Sequence, residues 1–202
     1  MTVSIWRIAK ETREYASDAM TGDGASIGGG RWNPQGIAVI YAASNVSLAC
    51  LESSAHSRAA STQRDRFLIR IDVPLAIWER AHVLTCATAP VGWDAVPAAL
   101  TSVEVGRKWL LDPDGPALLR VPSSVIPEES NILINPSHPD AKELKTVKLR
   151  RWHYDDRVFG NIPDVGVPIF NDGKLVIEAD VNLYMVAHAR DRPGASGHAH
   201  PA

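Results

Sequence analysis

The sequence predicts a mixed α/β (α+β) domain, a compact mixed sheet with flanking helices, and three segments carry this prediction. Residues 37–43 form a mostly apolar, partly β-branched run, as expected of a largely buried strand. Residues 66–73 alternate apolar with more polar side chains, the period of a half-buried strand. The apolar members of that second run are Phe67, Ile69, Ile71 and Val73. Between the two runs, residues 45–58 carry apolar side chains at helical spacing.

A glycine-rich loop precedes the first predicted strand. Gly28, Gly29 and Gly30 allow close approach of the backbone to a ligand, and residues 33–36 (NPQG) have the composition of a tight turn. Arg31 therefore lies on a shaped loop. Tyr41 lies near the end of the strand that follows.

The helix predicted over about 45–58 takes Ser44 as its N-cap and turns one carboxylate toward the interior. Glu52 follows Leu48 by four residues, so both share the inward face. An inward carboxylate requires a partner, and two readings remain open: a structural ion pair or a site carboxylate in a cleft. His56 lies four residues further on and either hydrogen-bonds to Glu52 or completes the helix surface.

A second dense polar segment spans residues 120–139. Prolines at 122, 127, 136 and 139 exclude a long helix and confine any strands to short pieces or edges. Ser123, Asn131 and Asn135 either bind ribose hydroxyls or a carboxamide, or they form Ser and Asx turns.

The remaining elements are predicted from simpler signals. The strand at 66–73 is expected to pair with the strand at 37–43, and loosely helical spacing after Pro97 predicts a helix over 97–111. Residues 145–152 are predicted to form a late strand. Residues 167–177 favour a hairpin around an Asp-Gly turn.

Composition favours one domain and excludes several classes of function. The chain has 202 residues, 45% of them hydrophobic and 22% charged, with a net charge of −2 and a pI near 6.4. This size allows a sizeable core, and the absence of a basic stripe argues against direct nucleic-acid binding. Cys50 and Cys86 are isolated, which gives no support for a zinc site or a disulfide framework. With no leader pattern and no apolar run of about 18 residues, we expect a cytoplasmic protein without a membrane span.

Taken in order, these motifs resemble the RES-domain toxins of bacterial toxin-antitoxin pairs, a family named for an arginine, a glutamate and a serine. Arg31, Glu52 and Ser123 fall on the three naming positions, and the resemblance covers roughly residues 5–159. The matching motifs are Trp6-Arg7-Ile8, Gly29-Gly30-Arg31-Trp32-Asn33, Tyr41, Leu48-Ala49-Cys50-Leu51-Glu52, His56, Val121-Pro122-Ser123 and residues 131–139 (NILINPSHP).

The resemblance also implies how the chain is divided. Residues 1–159 would form the NAD-cleaving domain with an ADP-ribosyltransferase-like fold. Residues 160–189 depart from the family pattern, so the resemblance does not describe them. From the turn signal we expect a C-terminal extension with a hairpin packed on the domain, which would cap the domain, cover the cleft or join an oligomer interface. Residues 190–202 are rich in Gly, Pro, Ala and His and are expected to be a disordered tail without metal binding.

The resemblance implies an enzyme that destroys cellular NAD by phosphorolysis or hydrolysis. NAD is then the substrate, inorganic phosphate is a possible co-substrate, and no further cofactor is required. Glu52 would stabilise the positive charge that develops on the ribose, while Arg31 and Arg7 would bind the pyrophosphate. Tyr41 would stack or hydrogen-bond near the nicotinamide ribose. The other residues expected to bind NAD are His56, Ser123, Asn131 and Asn135.

Two alternatives remain at this stage: transfer of ADP-ribose to a protein, and a noncatalytic module that binds NAD or ADP-ribose. A second arginine in the cleft would favour phosphate as the acceptor, and Arg70 and Arg120 are the candidates. The family also implies a cognate Xre-type antitoxin that blocks the cleft in a hetero-oligomer. DNA would then be reached only indirectly, through that antitoxin.

Overall fold

A computed structural model of the chain describes residues 1–55 and 65–155, together with two short strands within 169–176. The chain divides into one unit, Met1–Phe159, and a second unit, Gly160–Ala202. His56 and the end of the helix predicted to reach residue 58 lie outside the described residues.

The described part of the first unit contains one sheet and four α-helices. The strands are β1 (Thr2–Lys10), β2 (Ile40–Ala43), β3 (Arg66–Pro74), β4 (His82–Val83), β5 (Leu118–Pro122), β6 (Ser130–Ile134) and β7 (Lys145–Arg151). The helices are α1 (Asp23–Gly28), α2 (Val46–Ala55), α3 (Leu75–Glu79) and α4 (Leu100–Leu111), with a short 3₁₀ helix at Pro139–Glu143. None of the helices in these described stretches has the length and apolar character needed to cross a bilayer.

The sheet is mixed, with the order β4-β5-β6-β2-β1-β3-β7, and this confirms the predicted fold class. Only the β4–β5 pair is parallel among the described pairs of this sheet. β1 and β3 pair along their whole length, from Thr2↔Pro74 to Lys10↔Arg66. In contrast, the register between β1 and β2 consists of Trp6↔Ala43.

Successive side chains of each strand point to opposite faces of the sheet. Apolar side chains are buried on both faces. One face carries a core cluster built largely from isoleucines, among them Ile5, Ile40, Ile69, Ile71 and Ile132, each at most 1% exposed. The opposite face carries two clusters. One gathers Trp32, Trp109, Leu119 and Leu133, and the other packs Leu48 and Ala49 of α2 on Ile8, Ala43 and Leu68.

The strand predicted at 66–73 is confirmed as β3, but its expected pairing with the strand at 37–43 is wrong. β1 lies between β2 and β3 and pairs with both. β1 gives a weak sequence signal because it is covered on both faces, so its apolar side chains show neither clean alternation nor a continuous run. The run at 37–43 forms a strand over Ile40–Ala43 only.

The helix after this strand is confirmed, but its cap is not Ser44. Asn45 Oδ1 accepts the N–H of Leu48 at 2.8 Å, and α2 begins at Val46. The Ser44 N–H instead donates to Ser130 O at 3.0 Å and extends the β2–β6 ladder. The helix predicted over 97–111 is confirmed as α4, although it begins at Leu100, so Pro97 precedes its first turn.

Gly106 of α4 lies directly against the backbone of Trp32, which follows the glycine-rich loop. A Cβ placed on Gly106 would lie 1.7 Å from Trp32 O, so only glycine fits between the helix and this backbone. The late strand predicted at 145–152 is confirmed as β7.

The second unit contains a hairpin as predicted, with β8 (Ile169–Asn171) antiparallel to β9 (Lys174–Val176). The Asp-Gly turn between them and the predicted tail lie outside the described residues.

Candidate active site

α2 brings the Glu52 carboxylate to the ends of two neighbouring strands. Leu48 is fully buried on the inward face of α2, and Glu52 lies one turn further along the same face. Glu52 Oε1 accepts the Ser123 hydroxyl at 2.7 Å and the Asn131 side-chain amide at 2.5 Å. Two residues far apart in the sequence thus orient one carboxylate oxygen.

Ser123 is fully buried just after β5, and its hydrogen bonds fix the direction of its proton. Ser123 Oγ accepts the backbone N–H groups of Val125 and Ile126, both at 3.0 Å. A hydroxyl has one proton, so the proton that these bonds leave available is donated to Glu52. Ser123 therefore forms the Ser turn that the sequence allowed and also holds the candidate site carboxylate, while its binding of ribose or a carboxamide stays a prediction.

Asn131 reaches Glu52 because of the register of β6. It lies opposite Ala43 of β2 on one side and Val121 of β5 on the other. Tyr41 lies opposite Leu133 in the same ladder, so Tyr41 and Asn131 share one face of the sheet. Glu52, Ser123 and Asn131, which we call the Glu52 cluster, therefore lie on the same side of the sheet as the Gly-rich turn. Tyr41 contacts that turn.

The Tyr41 hydroxyl holds the Gly-rich turn together. It accepts the Trp32 N–H at 3.0 Å and donates to Asn33 Oδ1 at 2.8 Å. Burial raises the pKa of Tyr41 well above its ordinary value, although the Trp32 N–H and the charge of Arg31 oppose this rise. A Cβ on Gly30 would lie 2.6 Å from the Tyr41 hydroxyl oxygen, which explains the glycine there.

Arg31 links this turn to a distant loop. Its Nη1 donates to Trp93 O and to Ala95 O, each at 2.8 Å. The Trp93 ring stacks on Trp32 with 6.5 Å between ring centroids. Arg31 thus lies near enough to Tyr41 for its charge to act on the hydroxyl, and part of its guanidinium is bound to backbone carbonyls.

Arg7 is not brought into contact with Glu52. It pairs with Ile69 and shares the sheet face of Ile5 and Ile69, opposite to that of Trp6. Its Nη1 reaches Ala19 O at 3.5 Å. Burial lowers the pKa of Arg7 to about 10, and nearby Asp18 offsets part of this effect. A role for Arg7 in pyrophosphate binding stays a prediction.

Asn135 lies at the far end of β6 from Asn131. Its side-chain amide donates to Leu110 O at 3.2 Å, and its Oδ1 accepts the Ser137 N–H at 3.0 Å. It ties the end of α4 to the turn after β6, so its described contacts are structural.

The two candidate phosphate arginines are engaged elsewhere. Arg70 forms a salt bridge with Asp72 at 3.0 Å. The Arg120 guanidinium lies 4.4 Å from the centre of the Trp78 ring, and Arg120 pairs with Ile132 on the sheet face opposite Asn131.

Sequence reasoning missed three polar residues that support the site. Asn33 is buried and its amide donates to Ala25 O, Pro34 O and Ile37 O, a role hidden behind its turn signal. Asn45 caps α2 and also donates to Glu129 Oε2 at 2.7 Å. Two adjacent cap-forming residues at 44 and 45 were a signal for that cap, but the bond to Glu129 has no local signal.

No group of three or more potential metal-binding side chains occurs within 1–55 and 65–155.

Comparison with known proteins agrees with the resemblance inferred from the motifs. The RES domain model matches residues 4–156. The Prs ADP-ribosylating toxin of Sphingobium sp. (strain YBL2) is 48% identical over 158 residues, 78% of this chain and 98% of that protein. Toxin Res of Yersinia enterocolitica is 36% identical over 72% of this chain and 94% of its own length. Toxin Res of Pseudomonas putida is 32% identical over 77% of this chain and 99% of its own length. The chain therefore belongs to the RES-domain family of toxins.

Proposed function

We propose that this toxin cleaves the bond between nicotinamide and ribose in NAD, with Glu52 as the catalytic carboxylate. The observation that carries the proposal is the arrangement of Glu52 Oε1, held by Ser123 and Asn131 at 2.7 and 2.5 Å. A carboxylate fixed by two donors loses little orientational freedom when the transition state forms. Such preorganisation is what electrostatic catalysis requires.

Cleavage of this bond requires little from the protein besides the negative charge of Glu52. When the bond breaks, its electron pair leaves with nicotinamide, which departs neutral, and positive charge develops on the ribose ring. A carboxylate beside that ring stabilises the oxocarbenium-like state, as in glycoside cleavage. The acceptor then forms a bond to the same carbon, and an attacking water loses a proton to solvent, which restores a neutral ribose.

Arg31 and Tyr41 are the candidates for binding the rest of the dinucleotide. A planar guanidinium suits a pyrophosphate because it donates in a bidentate manner. Arg31 Nη1 already donates to two carbonyls, so a pyrophosphate either exchanges these bonds or uses the other N–H groups of the guanidinium. The Tyr41 hydroxyl shapes the turn on which Arg31 lies.

The acceptor separates two versions of this function. Transfer to phosphate or water would deplete NAD, as the family resemblance implies. Transfer to a protein is favoured by one specific observation: a relative 48% identical over 98% of its length is named a Prs ADP-ribosylating toxin. The Prs protein is therefore the first protein acceptor to test.

The same proposal includes a partner. A toxin that consumes NAD requires restraint in its own cell, so we propose a cognate Xre-type antitoxin that covers the Glu52 side of the sheet, with the pair in the cytoplasm. Co-expression of the chain with its neighbouring gene product followed by gel filtration tests this. A neighbour that never comigrates with the toxin would contradict it.

The test of the function is release of nicotinamide from NAD by the purified chain, with and without phosphate and with and without Prs protein. Glu52→Gln keeps an oxygen that can accept from Ser123 and Asn131 but removes the charge, so it should fold and lose about two orders of magnitude in rate. Glu128→Gln, on an exposed neighbour of Glu129, is the matched control.

The products identify the acceptor. ADP-ribose-1-phosphate indicates phosphorolysis, free ADP-ribose indicates hydrolysis, and a mass increase on Prs indicates protein transfer. Binding of NAD without release of nicotinamide in any mixture would contradict the enzyme and leave a noncatalytic module.

A further inference from the structure

One side chain joins the two chain segments that form the Glu52 cluster. Glu129 lies in the connection between β5 and β6, and its Oε2 accepts the side-chain amide of Asn45 at 2.7 Å. Asn45 is the residue immediately before α2. We propose that Glu129 and Asn45 form a positioning pair that keeps Glu52 in line with Ser123 and Asn131. The catalytic consequence of this pair rests on the proposed function.

On the helix side, Asn45 uses both ends of its side chain. Its Oδ1 accepts the Leu48 N–H at 2.8 Å and so caps α2, while its Nδ2 faces Glu129. Because the cap fixes which way the amide points, the donor cannot turn away without losing the first bond. Glu52 follows Leu48 by one turn, so a shift at this cap is transmitted along a short, stiff helix.

On the strand side, the backbone of Glu129 is bonded to the segment that carries Ser123. Glu129 O accepts the Ser123 N–H at 2.9 Å, and the Glu129 N–H donates to Ile126 O at 2.9 Å. Asn131 follows two residues later in β6. The Glu129 side chain thus connects the Ser123 loop directly to the start of the helix that carries Glu52.

The charge of Glu129 strengthens this connection. Hydrogen bonds to a carboxylate are stronger than those between neutral groups, and a negative charge is favourable near a helix N-terminus. Glu129 is half-buried, whereas its neighbour Glu128 is exposed, so the two adjacent glutamates differ in environment. This makes Glu128 a natural control for Glu129.

The positions of the two donors on Glu52 explain why such a pair matters. Distances of 2.7 and 2.5 Å to Ser123 and Asn131 tolerate little sliding of α2 along the sheet. A misplacement of about 1 Å at a reacting group can lower a rate by roughly a hundredfold. Loss of the pair should therefore appear in kcat, with the KM for NAD nearly unchanged.

The test uses Asn45→Ser, Glu129→Ala and the double variant in the full chain. Serine still caps α2, but its side chain is shorter and lacks the amide that reaches Glu129, so the helix start is preserved while the connection is lost. Each single variant should lower kcat about ten- to hundredfold, and the double variant should be no worse than either single one. Glu129→Gln, which keeps an acceptor oxygen but not the charge, should lose less activity than Glu129→Ala, and Glu128→Ala should behave as wild type.

Losses that multiply in the double variant, or a change confined to KM, would overturn the proposal. Hydrogen exchange provides a readout that does not depend on turnover. Amides of α2 and of residues 124–126 should exchange faster in Asn45→Ser and Glu129→Ala, but not in Glu128→Ala. If wild type releases no nicotinamide, the proposed function fails while this exchange pattern still tests the pair, and unchanged exchange in both variants would overturn it.

Discussion

Ser123 and Glu52 are joined by a hydrogen bond of 2.7 Å in which the serine is the donor. Because Ser123 Oγ also accepts two backbone N–H groups, its hydrogen-bonding capacity is nearly filled by the protein. The serine that we expected from the sequence to bind NAD therefore holds the carboxylate beside it.

Ser123→Ala should lower kcat for NAD cleavage about ten- to hundredfold, since a hydrogen bond to a charged group is lost. The KM for NAD should change little, because the serine acts through Glu52. Nicotinamide release at varied NAD concentrations measures both, with Ser124→Ala as the control. A raised KM with unchanged kcat would instead indicate that Ser123 binds the ribose or the amide of NAD.

Tyr41→Phe should destabilise the fold by roughly 1–3 kcal/mol, because the Trp32 N–H loses its acceptor and Asn33 loses its donor. Urea unfolding at neutral pH measures this difference. Equal stability of the variant and wild type would show that the hydroxyl does not support the turn.

The same tyrosine predicts a dependence on pH. Its pKa is raised in the folded state, so its contribution is fully present below the ordinary value of 10.0 and is lost as the pH rises above it. Wild type should therefore lose stability above about pH 10 more steeply than Tyr41→Phe. Parallel slopes in alkaline unfolding experiments would contradict the raised pKa.

Gly106→Ala should lower the melting temperature although alanine favours helices. The new Cβ would meet Trp32 O at 1.7 Å, and forced overpacking costs about 1–3 kcal/mol or more. Gly24→Ala, in the helix α1 with open space around the new Cβ, is the matched control and should be neutral or stabilising. Thermal unfolding that ranks the two variants in the opposite order would refute the close packing of α4.

Arg7→Met should leave stability unchanged or raise it, while the KM for NAD rises about ten- to hundredfold if Arg7 binds the pyrophosphate. Burial lowers the pKa of Arg7 to about 10, the direction expected when water is excluded from a charged group. Asp18 would keep a cation nearby, since Lys148 lies 3.7 Å from it. A destabilised variant with an unchanged KM would indicate a structural arginine.

The sequence could predict the elements whose signals are local. The alternation over 66–73 and the helical spacing in α2 and α4 depend on a few neighbouring residues, and the four-residue step from Leu48 correctly turned Glu52 inward. Ser123, Asn131 and Glu52 were all candidates before their contacts were known.

Local patterns in the sequence could not predict contacts between segments that are far apart along the chain. Arg31 reaches Trp93 and Ala95, which are 62 and 64 residues away, and Asn45 meets Glu129 84 residues away. Partner choice in a sheet is likewise nonlocal, and β1, apolar on both faces, showed no period that would place it between β2 and β3. The outcome for Arg7 follows from this, because its sheet face depends on that pairing.

The pairing of Trp6 with Ala43 has a mechanical consequence. The sheet has two halves, β4-β5-β6-β2 and β1-β3-β7. Trp6↔Ala43 is the described residue pair that joins them. α2 packs on both halves of the sheet, since Leu48 and Ala49 lie in one core cluster with Ile8 and Leu68 from one half and Ala43 from the other. The helix that carries Glu52 therefore also connects the two halves of the sheet. A motion that separated β1 from β2 would displace the Glu52 carboxylate as well.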